Sequence, residues 1–381
     1  MMPCHMAEAF KEWIGTELVR TMAKHLHRVH PAFPRQRFVK MATAGLAKLE
    51  LKARVVHVAD ALAATLPPSF SQAAKVLEQS LAPARRDDDL SKLATCAAGL
   101  AGWAVWPMTE YVARAGLKQP KRALRALHAL TQRNTAEYAI RPFLIEHRDV
   151  TMATLHEWLH DPSPHVRRLV SEGSRPRLPW GMQLKHLVED PTPTFALLEQ
   201  LQDDASEYVR RSVANHLNDI AKDHANHVAA WLERHLPDAS PERRAMLRHA
   251  SRTLIKRGDR RVLKAWGLAS PLRGDATFSI SPEKVAAGES VMLAVTLQSR
   301  AKKPQALMID YVVHHVKSGG ATSAKAWKGW QVTLQPGEYR ELQKKHSLKV
   351  VTTRRDYPGR HAVDLMINGK AVASAAFDLT I

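Results

Sequence analysis

A helical-repeat array followed by a small β-sandwich is the architecture this chain predicts, and three observations predict it. Apolar residues recur with a period near 3.6 as far as about residue 270, a ten-residue motif repeats at an offset of 43, and from residue 276 onward apolar residues alternate. The expected bounds are a mainly α domain over residues 1–270 and a β domain over 271–381.

The helical stripes come first. Leu124, Leu127 and Leu130 form one, with Arg125 and Arg133 outside it; Leu155, Trp158 and Leu159 mark a second. Leu197, Leu198 and Leu201 mark a third, and Val228, Trp231 and Leu232 a fourth. The links between them are short and carry Asp, Pro, Ser or Asn, residues that cap and stop helices. Asp161-Pro-Ser-Pro-His-Val-Arg-Arg-Leu-Val170 aligns with Asp204-Ala-Ser-Glu-Tyr-Val-Arg-Arg-Ser-Val213, matching at Asp, Ser, Val, Arg, Arg and Val. An offset of 43, from 161 to 204, lies in the ~40–47 range of HEAT and armadillo arrays. In such arrays each helix pair buries its apolar face only by stacking on its neighbours, which yields a curved HEAT-like solenoid with a concave ligand face. Ala136 to Leu144 reads as the second helix of an earlier, degenerate unit.

The strands follow. Phe278 and Ile280 alternate with polar residues, as do Val291, Leu293, Val295 and Leu297. Leu307–Val316, Trp330–Leu334, His346–Val350, His361–Ile367 and Ala371–Ile381 are further strand candidates. Asn368-Gly369 joins the last two as a two-residue hairpin, because both residues tolerate the positive φ of a type I′ turn. Seven or so short strands suggest an immunoglobulin-like sandwich, with Pro271–Asp275 as linker. Another small β-sandwich fits the pattern equally.

The 381 residues include 56 Lys and Arg against 37 Asp and Glu, a formal charge of +19, with 45% hydrophobic and 24% charged residues. This composition is globular and excludes wholesale disorder, a collagen-like fibre or a disulfide-stapled peptide. The charge favours a polyanionic partner, nucleic acid first and an anionic membrane second. Cys4 and Cys96 are the only cysteines, too few for a zinc site. Met1–Lys24 lacks the apolar core of a signal peptide, and Leu93–Thr109 is too short for a membrane span and reads as a buried core helix. A cytoplasmic protein without a membrane association is the expectation.

Three polar sets stand at i,i+4 spacing: Glu137 with Arg141, Arg168 with Glu172, and Arg211, Asn215 and Asp219. Arg168 and Arg211 hold matching repeat positions, so these read as equivalent helical faces. Carboxylates converging amid arginines can orient water or stabilise a developing cation, and such pairs also serve as structural salt bridges. Gly173, Pro176, Pro179 and Gly181 break the helix after Glu172, so Arg175, Arg177 and Trp180 are presented from a constrained loop. Trp180 can stack on a base, hold a cation, or plug the gap between two repeats. His25, His27, His30, His224 and His227 lack the pattern of a metal site, and no P-loop, dinucleotide fingerprint or Gly-x-Ser-x-Gly is present. Lys302-Lys303, Lys344-Lys345 and Arg354-Arg355 read as phosphate-contacting loops or as solvated edge residues.

Ser171 to Gly181 and Val209 to Asp223 together resemble the AlkC branch of the AlkC/AlkD family of DNA alkylation repair glycosylases, and Gly102–Val112 and Ala136–Leu144 look like further motifs of that family. The resemblance covers most of residues 1–270, and the β-pattern resembles the C-terminal immunoglobulin-like domain with which some AlkC members grip DNA. It implies hydrolysis of the N-glycosidic bond of cationic N3-alkylated bases, chiefly 3-methyladenine, in duplex DNA bent over the concave face. By resemblance Glu137, Glu172 and Asp219 form the catalytic carboxylate cluster, with Asp219 nearest the sugar. Trp180 faces the lesion, and Arg168 holds the DNA backbone or the carboxylates. Arg141, Arg175, Arg177 and Arg211 are expected to join it as DNA contacts. No metal or cofactor is implied, and a protein that clasps DNA in this way works as a monomer. The alternatives are a non-catalytic protein for damaged or branched DNA and a protein-binding scaffold.

Overall fold

The computed structural model describes residues 10–85, 87–349 and 357–380; Cys4, Val350, Arg354, Arg355 and Ile381 lie outside these. The chain divides into two compact units, Met1–Asp223 with Ser240–Ala250, and His224–Ala239 with Ser251–Ile381.

In the first unit the helices are α1 (Thr16–Val29), α2 (Arg35–Thr43), α3 (Leu51–Ala63), α4 (Phe70–Gln79), α5 (Val105–Ala115), α6 (Pro120–Thr131), α7 (Arg141–Glu146), α8 (Arg148–Glu157), α9 (Pro164–Gly173), α10 (Lys185–Glu189), α11 (Thr192–Leu201) and α12 (Glu207–Asp223). The second unit contributes α13 (Ala225–His235), α15 (Arg252–Lys256) and α16 (Arg260–Ala265), whereas α14 (Pro241–Ala250) returns to the first. Proline sits in the first two positions of α6, α7, α9 and α11, where its missing N–H would have no intrahelical partner anyway. The predicted stripe of α6 is buried at Leu124, Leu127 and Leu130. On α12, which packs against α9 and α14, Val209, Val213, Leu217 and Ile220 are buried. Each such side chain contributes about 1.5–3 kcal/mol.

Leu93–Thr109 is not one helix. Leu100 donates its amide to Ser80 O (2.8 Å) and accepts from Ala82 N (2.9 Å), an extended crossing that Gly99 permits, since a Cβ there would lie 2.3 Å from the Ala82 nitrogen. Gly102 has φ 63°, and a one-turn 3₁₀ helix, Gly102–Ala104, precedes α5. Pro107 falls in the first turn of α5, so it terminates nothing.

The second unit carries eight strands among the described residues: β1 (Gly274–Ser281), β2 (Lys284–Ala286), β3 (Ser290–Ser299), β4 (Gln305–Val316), β5 (Thr322–Leu334), β6 (Tyr339–Ser347), β7 (Gly359–Ile367) and β8 (Lys370–Thr380). They form a three-stranded sheet β1-β3-β6 and a five-stranded sheet β2-β8-β7-β4-β5, antiparallel except for the short β2–β8 pair. Ile280, Val291 and Leu293 of the first sheet meet Val313, Val363 and Phe377 of the second in a common core. The β7–β8 hairpin turns on Asn368 (φ 50°) and Gly369 (φ 76°), the two positive φ values that a type I′ turn demands. β1 already begins at Gly274, inside the segment expected as linker; a Cβ at Gly274 would meet Gln298 O at 2.0 Å. Lys344 and Lys345 lie on the sheet-edge strand β6. Lys302 and Lys303 line, with Arg273, a cavity of about 290 Å³ in this unit.

Candidate active site

The two repeat copies start α9 and α12 in the same way. Asp161 Oδ1 accepts from Ser163 N (2.8 Å) and Asp204 Oδ1 from Ser206 N (2.9 Å), a local turn that aligns each helix start. Arg167 donates to the carbonyls of Asp161 and Pro162, and Arg210 to those of Asp204 and Ala205, the same fastening one repeat apart. Arg167 also pairs bidentately with Asp204 (2.6 and 3.0 Å), tying one copy to the next.

The copies then diverge. α9 stops at Gly173, where a Cβ would lie 2.6 Å from Ile140 Cγ2, and the loop 174–184 follows. Ser174 Oγ donates to Val170 O (2.7 Å), Gly181 N to Leu178 O, and Leu184 N to Pro176 O. Arg141, fully buried, clasps both ends of this loop, donating Nη1 to Gly173 O (2.9 Å) and Nε to Met182 O (2.7 Å). Burial, and then the charge of Arg175, bring its guanidinium down to about 10, still protonated at neutral pH. Between the clasped ends Trp180 stands 64% exposed at φ 64°, a conformation that costs a bulky residue energy and persists only where surroundings impose it. Lys52 Nζ donates to its carbonyl. Trp180 therefore does not plug a gap between repeats.

Behind this loop runs an alternating chain of charges. Arg168 donates Nη1 to Glu137 Oε2 (2.8 Å) and lies 3.6 Å from Glu172 Oε1. Arg175 Nη1 donates to the same Glu172 oxygen (2.5 Å), and its Nε to Asp219 Oδ2 (2.8 Å). Lys222 Nζ closes the chain on Asp219 Oδ1 (2.8 Å). Ser212 donates to Glu172 Oε2 (2.6 Å) and Thr135 to Glu137 Oε2 (2.7 Å). Burial opposes ionisation of Glu172, but Arg168, Arg175 and the Ser212 hydroxyl outweigh it and hold the carboxyl below the usual range. Burial likewise opposes the charge of Arg168, whose guanidinium stacks 4.8 Å over the Tyr208 ring, yet Glu137, Tyr208 and Glu172 hold it protonated above the ordinary arginine value. Each carboxylate is thus matched by a cation, so the cluster is close to neutral rather than a strong negative field.

Glu137 is also a wall of a cleft of about 340 Å³ whose other walls are chiefly aromatic: Trp103, Trp106, Tyr138 and Trp180. Trp106 and Tyr138 stack at 5.4 Å, and burial followed by the Glu137 charge pushes the Tyr138 hydroxyl up to about 12, so it stays a neutral donor. Aromatic faces beside a carboxylate suit a flat cation.

The structure brings Glu137, Glu172, Asp219, Arg168 and Arg175 together, with Trp180 on the same cleft as Glu137. It corrects several expectations. Glu137 is not on a helix with Arg141: Thr135 Oγ1 caps a turn at Glu137 N (3.2 Å), and α7 begins only at Arg141. Arg141 is interior and occupied with the loop, and Arg175 is 6% exposed between two carboxylates, so neither presents a surface contact for DNA. Arg211 is not in the environment of Arg168; its side chain is exposed and pairs with Glu207 (2.8 Å) on the outside of α12. Arg177 is partly exposed and bidentate on Asp223 (2.6 and 2.8 Å). Sequence reasoning assigned no role to Lys52, Trp103, Trp106, Tyr138, Tyr208, Ser212 or Lys222. The one signal available was Gly102-Trp-Ala-Val-Trp106, two indoles three apart beside a helix start. Among the described residues no group of three or more His, Cys, Asp or Glu side chains is arranged to hold a metal, and no helix is long and apolar enough to cross a membrane.

Comparison with known proteins agrees with this arrangement. The family model described as DNA alkylation repair enzyme matches residues 131–254, which contain every link of the charge chain, and that of the C-terminal Ig-like domain of the uncharacterised protein YhaZ matches 275–381. The uncharacterized protein YhaZ of Bacillus subtilis (strain 168) is 33% identical over 374 residues, 97% of this chain and 99% of that protein. Among solved structures, the Pseudomonas fluorescens alkylpurine DNA glycosylase AlkC, bound to DNA containing an abasic site analog, superposes with a TM-score of 0.88 at 36% identity, covering 98% of this chain and 100% of that one.

Proposed function

The chain belongs to the AlkC branch of the DNA alkylation repair enzymes, and on that premise we propose that it is a monofunctional DNA-3-methyladenine glycosylase. It hydrolyses the N-glycosidic bond of cationic N3-alkylated bases in duplex DNA, with neither metal nor cofactor, and a HEAT-like array carries the duplex. The observation that supports this reading best is the placement of Trp180. It is an exposed indole held at positive φ on a cleft whose carboxylate, Glu137, is linked by alternating ion pairs to Asp219.

The chemistry follows from the substrate. A base alkylated at N3 already bears a positive charge and leaves without protonation, so the barrier lies in building oxocarbenium character on the deoxyribose. Asp219 carries that task, with its Oδ2 fixed by Arg175 and its Oδ1 turned to the developing cation and to the incoming water. Trp180 meets the charged base face-on, an attraction of about 0.5–2 kcal/mol that a neutral base forgoes. Because the carboxylates are balanced by Arg168 and Arg175, discrimination rests on these aromatic faces more than on net negative potential.

The test is release of free base from methylated duplex DNA, identified by mass spectrometry. Wild type is expected to release 3-methyladenine, and Asp219→Asn to lose about 10²–10³-fold of the rate while retaining DNA binding. One observation favours a second reading: both Asp219 oxygens are already engaged, as in a purely structural ion network. Tight DNA binding by wild type with no base released would establish that non-catalytic reading and return the carboxylates to a structural role.

A further inference from the structure

Asp219 has a reactive task in the reading above, and in the free protein it has no oxygen to spare for it. Its side chain is 2% exposed, with Oδ2 on Arg175 Nε and Oδ1 on Lys222 Nζ, both at 2.8 Å. For a deoxyribose to meet this carboxylate, one partner must leave. The two are not alike. Arg175 is buried and holds Glu172 with another nitrogen, so its departure would strand two buried carboxylates. Lys222 lies in the last turn of α12, three residues from Asp219, with its side chain 39% exposed. A flexible stem in partial contact with water exchanges its anion readily, because a screened pair of this kind contributes little.

What would draw Lys222 away is a stronger anion offered from the solvent side. A backbone phosphate is that anion, and at this end of α12 a second cation, Arg177, is also tethered only by a partly exposed carboxylate, Asp223. We propose that Lys222 is a positioning residue that covers Asp219 until a phosphodiester takes it, so that engagement of the DNA backbone uncovers the carboxylate. This deepens the glycosylase reading and rests on it. The ammonium exchanges a carboxylate oxygen for a phosphate oxygen, no covalent bond changes, and Asp219 Oδ1 is left facing the site.

The experiment compares wild type, Lys222→Met and Lys222→Arg in two measurements with methylated and unmethylated duplex DNA. The first is the salt dependence of binding; the second is single-turnover base release as a function of protein concentration. If Lys222 moves to a phosphate, Lys222→Met lowers the slope of log affinity against log salt by about one unit, and Lys222→Arg restores it. The protein concentration giving half-maximal release rises several-fold in Lys222→Met, by more than the limiting rate falls. An unchanged salt slope together with a reduced limiting rate would mean that Lys222 stays on Asp219 throughout, and overturns the proposal. Because the slope is read without turnover, the two readings fail separately. No base released by wild type, with the slope still lost in Lys222→Met, removes the glycosylase reading and leaves the displacement standing.

Discussion

Arg168 and Arg211 occupy the same place in two copies of one motif, yet one is sandwiched between Glu137 and the ring of Tyr208 while the other lies on the outside of α12 against Glu207. The next matching positions diverge as well. Glu172 is buried among two arginines and Ser212, whereas Asn215 meets His249 at 2.9 Å; Gly173 packs on Ile140, whereas His216 fills the corresponding place and reaches Ser171 O at 3.0 Å. A repeat equivalence therefore predicts backbone and helix start, and says little about the chemistry of the side chains. That chemistry depends on what the neighbouring copy and the intervening loop supply. The first copy has the 174–184 loop beside it; the second continues as a 17-residue helix and carries its carboxylate, Asp219, one turn further on.

Substitutions at these paired positions sharpen the contrast. Arg168→Ala strands Glu137 and Glu172 in the interior and is expected to cost about 3–5 kcal/mol in urea denaturation, while Arg211→Ala, an exposed i,i+4 pair, costs under about 0.5 kcal/mol. Equal losses would show that the two copies are energetically alike after all. The pH dependence of stability comes next. His216 is fully buried, and its imidazole is pulled down to about 4 by burial, with Asp219 pulling the other way. A group depressed on folding stabilises the protein above its unfolded value, near 6.5, and that stability drains away as pH falls toward about 4. A loss of about 3 kcal/mol over this window is expected, at 1.36 kcal/mol per unit. Glu172, also depressed on folding, adds to the loss only at lower pH, below the ordinary carboxylate range. A His216→Gln variant should flatten the curve between pH 6.5 and 4; an unaltered curve would place the acid sensitivity elsewhere. The smallest effect on folding is expected at the loop. Trp180→Ala removes a side chain that is mostly in water, so its midpoint in urea should hardly move, while release of a cationic base drops up to about 30-fold, the equivalent of ~2 kcal/mol. A large stability loss in that variant would mark Trp180 as packing after all.

Much of this was legible before any coordinates. The Asp-x-Ser turn and Val-Arg-Arg stripe located α9 and α12, the helix-breaking glycines and prolines located the loop that exposes Trp180, and Asn368-Gly369 located the last hairpin. The β-strands were read where one face is buried. β6 escaped, because on this sheet-edge strand polar residues fill both faces and leave no apolar alternation; β2, three residues long, is too short to show a period.

The limits are physical. Periodicity reports which face of an element is buried, so it determined the helices, most of the strands and the positions of Glu172 and Asp219 on their helices. It does not report what lies across the gap. That Arg141 is spent on two loop carbonyls, that Glu137 sits in a turn capped by Thr135, and that Lys222 and Arg175 divide the two oxygens of Asp219 are contacts between groups up to 44 residues apart, some of them to backbone atoms common to every residue. Such contacts leave no mark in composition or spacing. Only the folded chain decides which arginine faces water and which faces a buried carboxylate, because the difference between them is the dielectric and the partners around identical side chains.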